Sequence, residues 1–404
     1  MERDRQGTLR SGAHERGGVG VEIPLLALAA ACALLLALGL SGALDRSPAG
    51  RAAGMRLAAP APYRVPAGAE SVASAAELRV ALADPNRRVI VLEPGTYGGE
   101  RPFANTHGHQ LYAARLGTAT LTAGLSLGGR HGSGGALVRG LVIDVRDRRR
   151  TVDGAAIAVW GTGRRSRILD TTLVGHGAVR AGVAARRPEG LVIQRVVVRR
   201  FQDFGVFVDA NDPNRPEQRE PFQISDLDVA EVGRPSPGSS RGRAEACLWI
   251  GDSGSVRRVR ARSCAATGLW TGTATRRASF EGIDVDRAQT GVYVEHFTSD
   301  STFRALRIGP GVQVGLNAEW ADPAWDRRPA SVGNVIEDSR FESSLVGVYL
   351  DQGTTRTTVR RSSFAGQTWA AIGDYHGVGN AVYENHYEDP NPVRHEHLGS
   401  ARRG

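Results

Sequence analysis

Nine five-residue segments recur along the last two-thirds of this chain: AIAVW (156–160), GVAAR (182–186), GVFVD (205–209), CLWIG (247–251), GLWTG (268–272), GVYVE (291–295), GLNAE (315–319), GVYLD (347–351) and AAIGD (370–374). Their last residues are 26, 23, 42, 21, 23, 24, 32 and 23 positions apart, and the two long gaps hold Pro-rich insertions. Between the segments runs a second pattern, hydrophobic at i, i+3 and i+5, as in Ile193/Val196/Val198, Ile224/Leu227/Val229, Phe280/Ile283/Val285, Phe303/Leu306/Ile308 and Val382/Asn385/Tyr387. Short strands at a fixed period mean stacked coils, none able to bury its apolar face alone. A helical solenoid needs amphipathic stretches of about ten residues per repeat, and none fits between these turns. Fifty-one glycines against six Trp and eight Tyr agree with many turns and many short strands. The fold class is therefore all-β, a parallel β-helix.

Strand alternation lets the two sides of each segment be read. Positions two and four are mostly aliphatic, as in Val206/Val208, Leu248/Ile250, Val292/Val294 and Val348/Leu350, and must point into the coil. Position three then points outward and reads Phe207, Trp249, Trp270, Tyr293, Asn317, Tyr349. Position five is also outward and reads Asp209, Gly251, Gly272, Glu295, Glu319, Asp351, Asp374. Stacked strands lie about 4.8 Å apart. The sheet should thus carry a row of aromatics beside a row of carboxylates, with two glycines opening a floor in the latter.

Ahead of the repeats, SVASAAELRVAL begins at Ser71, with Ser71 or Ser74 as N-cap and Val72, Ala75, Leu78 and Leu82 at helical spacing. VIVLEPGTYGG follows as a buried strand ending in a Pro-Gly turn. This helix and strand resemble the N-terminal cap of the pectin-lyase-like right-handed β-helix proteins. The repeats, with Gly-Asn starts at Gly333-Asn334 and Gly379-Asn380, resemble their parallel β-helix repeats. The resemblance covers residues 71–389 and implies a right-handed solenoid with a short N-terminal capping helix. For activity it implies a wide class, from lyases, hydrolases and epimerases to phage tailspikes and surface proteins. No motif of the pectate lyases or polygalacturonases stands intact.

Residues 23–44 (IPLLALAAACALLLALGLSGAL) form an uncharged apolar run of 22 residues after a 1–22 tail, long enough to span a bilayer. Arg3, Arg5, Arg10 and Arg16 precede it and Arg46, Arg51 and Arg56 follow, so the flanking charge is nearly balanced. A transmembrane anchor is one reading. A cleaved signal peptide, with Ser41-Gly42-Ala43 as the cleavage site, is the other. Both export the rest of the chain. Residues 45–70, rich in Ala, Pro, Gly and Arg, read as a flexible linker, and 390–404 as a C-terminal tail.

Outward aromatics have two readings. They stack on one another or lie under the insertions 210–222, 233–245 and 320–331, or they form a platform for pyranose rings. The carboxylates likewise are either surface charge paired with Arg or a functional row. Like charges opposite one another across strands repel, so a column of Glu295, Glu319, Asp351 and Asp374 calls for a cation, a partner or a raised pKa. Such a row suits three chemistries. A glycoside hydrolase needs two carboxylates about 5 Å or about 6.5–9.5 Å apart; adjacent coils supply the first spacing and alternate coils approach the second. A lyase acting on a uronate would use clustered carboxylates for Ca²⁺. A binder needs only the aromatics and hydrogen-bonding groups. His296 and His376 follow the row and can reach its rim as general acid or base. Thr106-His107-Gly108-His109 could supply a metal-ligand pair, but the sequence places no third ligand beside it.

The formal charge is +9, and every basic residue is Arg. Arginines recur just past the acid row (Arg164, Arg165, Arg187, Arg257, Arg258, Arg276, Arg277, Arg356, Arg360, Arg361), as a solvated outer face or as a flank holding an acidic polysaccharide. They are spread along the solenoid rather than interleaved with aromatics, so nucleic acid is not expected as a partner. The repeat frame sets Cys247 and Cys264 at different positions of neighbouring turns, which argues against a disulfide between them. The expectation is an exported, membrane-tethered β-helix that binds, and cleaves or epimerises, a polysaccharide. The rival is a non-catalytic binding or structural protein of the cell envelope.

Overall fold

The computed structural model describes residues 62–128, 134–160, 163–187, 189–209, 220–233, 245–272, 275–318, 331–388 and 392–396. The apolar segment 23–44 and Glu319 lie outside them. Among the described residues no helix is long and apolar enough to cross a membrane.

The described chain winds into a parallel β-helix in which strands pair with their counterparts one coil on, in a parallel system of 32 described strands and a separate three-stranded sheet of Thr298–Ser299, Ser331–Val332 and Thr354–Thr355. One inward column runs Val183–Val206–Leu248–Leu269–Val292–Leu316–Val348–Ile372 without a break in register. Every member is fully buried. All but Ile372, which is third in AAIGD, are position-two residues, so strand alternation and the repeat period agree up to the last coil.

The i, i+3, i+5 pattern has a different cause. Between its first and second hydrophobic residue the chain turns a corner on one residue with positive φ: Gly140, Asp170, Arg195, Asp226, Arg258, Gly282, Ala305, Asp338, Arg361 and Glu384, at φ between 49° and 77°. That left-handed residue adds one position, so inward side chains fall three apart across the corner and two apart after it. Its non-glycine members are strained by about 1 kcal/mol or more each, and the column offsets this with charge. Asp170 sits between Arg139 (2.8 Å) and Arg195, while Asp226 binds Arg258 at 2.6 Å. Arg361 bridges Asp338 at 2.8 Å and Glu337 at 2.6 Å.

Turns elsewhere are held by amide and hydroxyl ladders. Asn334 accepts from the Ser301 amide at 3.0 Å and donates to the Thr298 carbonyl at 3.0 Å. Asn380 and Asn385 repeat this geometry further along. The Gly-Asn starts are therefore turn staples that satisfy buried backbone groups.

At the N-terminal end helix α1 (Ala75–Ala83) closes the core with Leu78, Ala81 and Leu82. Ser74 caps it, its Oγ accepting from the Glu77 amide at 3.2 Å, and Glu77 accepts in return from the Ala73 amide at 2.8 Å. Val72 belongs to the preceding strand, Glu70–Val72. Tyr63 and Val65, within the stretch read as linker, pack on Val91, Tyr112, Leu137 and Leu169. Burial pushes the Tyr63 phenol up to about 12.

The cysteine expectation is corrected: Cys247 and Cys264 form a disulfide. Position one of each segment is a second corner where the chain bends, so that positions one and two both face inward. Its occupants are small because the next coil's backbone passes close by. A Cβ on Gly291 would lie 2.5 Å from the Gly315 carbonyl, and one on Gly315 within 2.2 Å of the Gly347 carbonyl. Cys247 occupies this inward column, and Cys264 ends the strand Gly254–Cys264 with its side chain in the same core. Different positions in the repeat frame thus still meet in the core, because both side chains face inward.

Candidate functional site

The outward face of the segment strands carries the position-three row in the expected register. Phe207, Trp249, Trp270, Tyr293, Asn317 and Tyr349 are direct neighbours on successive coils. Phe207 meets Trp249 edge-on at 4.8 Å, Trp249 stacks on Trp270 at 5.6 Å, and Trp270 meets Tyr293 edge-on at 4.7 Å. All four rings are half-buried. They span three coil steps, about 14 Å. The row both stacks on itself and keeps an exposed edge.

Phe204 extends it, 5.0 Å from Phe207 and 5.5 Å from Trp249. The five-residue frame missed Phe204 because it stands just before the position-one corner, where simple alternation fails. The far end differs. Tyr349 points outward but is only 3% exposed, covered by Trp369 at 6.0 Å. A Cβ on Gly373, its neighbour, would meet the Trp369 ring at 2.6 Å, so that glycine exists to seat the indole. Tyr349 is therefore part of an end plug rather than of the open platform. Asn317, between Tyr293 and Tyr349, has its buried Oδ1 without a hydrogen-bond partner.

The carboxylate row is changed in three ways. Asp209 stands opposite Gly251 as expected, and Glu295 and Asp351 follow the inward Val294 and Leu350. Asp374, however, pairs with Leu350 rather than Asp351. The last segment is AIGDY, with Tyr375 in the outer row and Asp374 one place earlier. A one-residue slip moves a side chain to the opposite face of a strand. Asp374 ends the inward column at the last coil, where it accepts from the Asn380 side chain at 3.0 Å. It leaves the candidate set.

Secondly, the carboxylates are served by donors from their own face. Trp270 Nε1 donates to Glu295 at 3.2 Å, and the Gln352 amide donates to Asp351 at 2.7 Å, with the Tyr349 hydroxyl at 3.5 Å. Thirdly, the glycine floor is not bare. Asp209 Oδ1 lies 2.8 Å from where a Gly251 Cβ would stand, and Trp249 Nε1 lies 2.5 Å from that of Gly272. Asp252, buried at 4% exposure just beyond Gly251, is an acid the frame did not single out.

His296 packs edge-on against Phe297 at 4.7 Å, and His376 against Tyr375 at 4.2 Å. Both sit one place past the outer row. His109 is not half of a metal pair. It is buried, with Nδ1 facing the Arg87 carbonyl and Nε2 the Leu82 carbonyl at 3.1 Å, which ties α1 to the first coils. Among the described residues no three His, Cys, Asp or Glu side chains converge as a metal set.

The arginine flank is largely engaged elsewhere. Arg164 pairs with Glu189 at 2.6 Å, Arg165 with Glu220, Arg257 with Glu281 at 3.9 Å, and Arg360 with Glu337 at 2.7 Å. Hydrogen bonds from Arg360 hold the Glu337 carboxyl below its ordinary value, with Arg361 adding to the effect against burial. These contacts favour the solvated-face reading for those arginines.

The resemblance to pectin-lyase-like β-helices holds at the level of fold. The catalytic unit of a GH87 α-1,3-glucanase from Streptomyces thermodiastaticus is 11% identical, with a TM-score of 0.50 over 82% of this chain and 70% of that one. PfbA, a surface adhesin of Streptococcus pneumoniae, is 10% identical with a TM-score of 0.49 over 80% of this chain and 87% of its own. A Geobacillus virus E2 protein (ORF18) is 9% identical with a TM-score of 0.44, and the match spans 74% of this chain but only 54% of that protein. No protein-family model and no curated protein matches the sequence. Its solved neighbours include right-handed parallel β-helix proteins, and the likeness is one of architecture.

Proposed function

We propose that this protein binds a polysaccharide along the Phe207–Trp249–Trp270–Tyr293 row and acts on it with carboxylates of the adjoining row. One observation carries the reading: four aromatic side chains stand in register on four successive coils, half-exposed, beside acids. Pyranose rings pack their C–H faces on such rings while polar neighbours fix orientation. That a glucanase and a surface adhesin share the architecture is compatible with catalysis and with binding alike.

Of the described acids, Glu295 and Asp351 are two coils apart, a backbone separation of about 10 Å. Side chains leaning together bring the pair toward the spacing of an inverting hydrolase, about 6.5–9.5 Å. Asp209 stands three coils from Glu295, about 14 Å, which suits a positioning role better than a shared step. Glu319 stays in the proposal from the sequence alone, and a Ca²⁺-dependent lyase from the chemistry of such a row. The second reading, a non-catalytic envelope binder, is favoured by Glu295 already accepting from Trp270 and Asp351 from Gln352.

Export belongs to the same proposal. The Cys247–Cys264 disulfide supports it, since disulfides persist in oxidising compartments, and the apolar run 23–44 supplies either tether or leader. The test is a glycan screen of the full chain, with products examined for new reducing ends and for unsaturated uronates. Binding that weakens in Trp249→Ala and Trp270→Ala is the expected result. Turnover lost in Glu295→Gln, Glu319→Gln or Asp351→Asn assigns catalysis. Turnover retained in all three removes the catalytic half, and no glycan bound removes the proposal.

A further inference from the structure

The outward row does not end the same way on its two sides. Toward the N-terminus it runs from Phe207 into Ala184 and Ala158, methyl groups where rings stand further along. Toward the C-terminus it runs from Tyr293 through half-buried Asn317 into Tyr349, and there access stops. Tyr349 is buried, and so is Trp369, which stands at the turn just before the strand Ala370–Asp374. The indole fills the space over Gly373, the row's next member, with its ring 2.6 Å from where a Cβ would stand there. Arg394, the member after that, lays its guanidinium over the same indole at 5.8 Å. Val346, Tyr349, Trp369 and Ala370 pack as a cluster of their own, separate from the coil interior. The cluster is therefore a wall standing across the row.

We infer that this wall closes the aromatic face at one end, so that it takes the terminus of a glycan, with the last ring over Asn317, and not the interior of a longer chain. The inference rests on the glycan reading above and names its ligand more closely, as a chain end. Rings stacked on the row run across the coils, so a chain continuing past Asn317 meets the Tyr349–Trp369 cluster or lifts off the platform. Close-packed side chains do not part by a ring's width without cost. A terminal sugar also carries a hydroxyl where an internal one carries a glycosidic link. Asn317, with a side-chain amide between two tyrosines, is the member of the row suited to hydrogen-bond it.

The test measures the affinity of the full chain for a hexasaccharide taken from the glycan screen. The ligand is used untagged, with an adamantyl group at its reducing terminus, and with the same group at its non-reducing terminus. One of the two tags should cost about tenfold or more, because the glycan must retreat by one coil and give up an aromatic contact. In Trp369→Ala, which lowers the wall, that tag should cost no more than about threefold. Thermal melts check that the variant keeps its fold; if it does not, the comparison of the two tags on wild type decides alone. If neither tag costs wild type more than about threefold, the face is open at both ends and the inference is overturned while the platform stands. A tag that costs folded Trp369→Ala as much as wild type overturns it too, since the wall is then not what stops the chain. If wild type binds no glycan at all, the underlying reading fails and takes the inference with it.

Discussion

Two outward columns of this solenoid are built by the same repeat and solve opposite problems. At the left-handed corner, Asp170, Arg195, Asp226 and Arg258 alternate in sign from coil to coil, and each acid is gripped by arginine. On the segment face, aromatic rings stack in one row, and the acids beside them are separated by Gly251 and Gly272 or served by Trp270 and Gln352. A stack of coils forces like positions into contact, so a column must alternate in charge, dilute it or stack apolar rings. The corner alternates, which is what stability alone asks for. The face dilutes and stacks, which leaves polar groups and ring edges turned outward. That difference, more than the presence of acids, is the ground on which we propose the face as the functional one.

The comparison predicts that corner changes cost stability and face changes cost binding. The largest effect is expected for Asp170→Asn, which leaves Arg139 and Arg195 facing each other in a largely buried position. A loss of about 3–5 kcal/mol in urea unfolding is expected, with glycan affinity unchanged. Burial pushes the Asp170 carboxyl up, but hydrogen bonds from Arg195 and Arg139 outweigh it and hold it below its ordinary value. Its contribution is therefore present above the unfolded carboxylate range, about pH 4, and is lost as pH falls through the lower folded value. The gap between wild type and variant should close in acid; a gap independent of pH contradicts the assignment.

Next comes Cys247→Ser with Cys264→Ser, which removes a cross-link closing a 17-residue separation beneath the aromatic face. A loss of about 3 kcal/mol is expected, and a reductant should lower the wild-type midpoint by a similar amount. An unfolding midpoint indifferent to reductant means the thiols are unpaired. Trp270→Ala should cost about 1–2 kcal/mol of binding, as hot-spot aromatics do, and unchanged glycan affinity would reduce the row to a stacking device. The smallest effect is expected at Asp284, where burial raises the carboxyl above its ordinary value despite Arg307 and Arg260. For a raised acid the stabilising contribution is present below the unfolded value and fades as pH rises. Asp284→Asn should thus be more stable than wild type at neutral pH by roughly 0.5 kcal/mol, with the advantage shrinking in acid. A less stable variant at neutral pH would mean the aspartate is held as a partner of its arginines.

The sequence made the inward columns legible because aliphatic alternation and a fixed period report burial directly. Val206, Leu248, Val292 and Val348 stand where their spacing puts them, and the outward row follows from them. What it did not report were places where backbone geometry breaks alternation. Cys247 occupies the position-one corner of its coil and Phe204 stands just before that corner in its own, and alternation does not carry through either place. The AAIGD frame puts Asp374 in the outward row, and the one-residue slip shows only in the pairing of Ile372 with Val348 and of Asp374 with Leu350. The packing over the glycines was hidden for another reason: a glycine in a sequence does not say whose side chain fills its space. At Gly272 the Trp249 indole does, and at Gly251 the Asp209 carboxylate does.

The most direct test of the account is an experimental structure of the protein with a bound hexasaccharide taken from the screen. The account predicts sugar rings lying along Phe207, Trp249, Trp270 and Tyr293, across the coils. A ligand seated on the corner face among Asp170, Arg195 and Asp226, or a segment face with its aromatics unchanged and unoccupied, would contradict it.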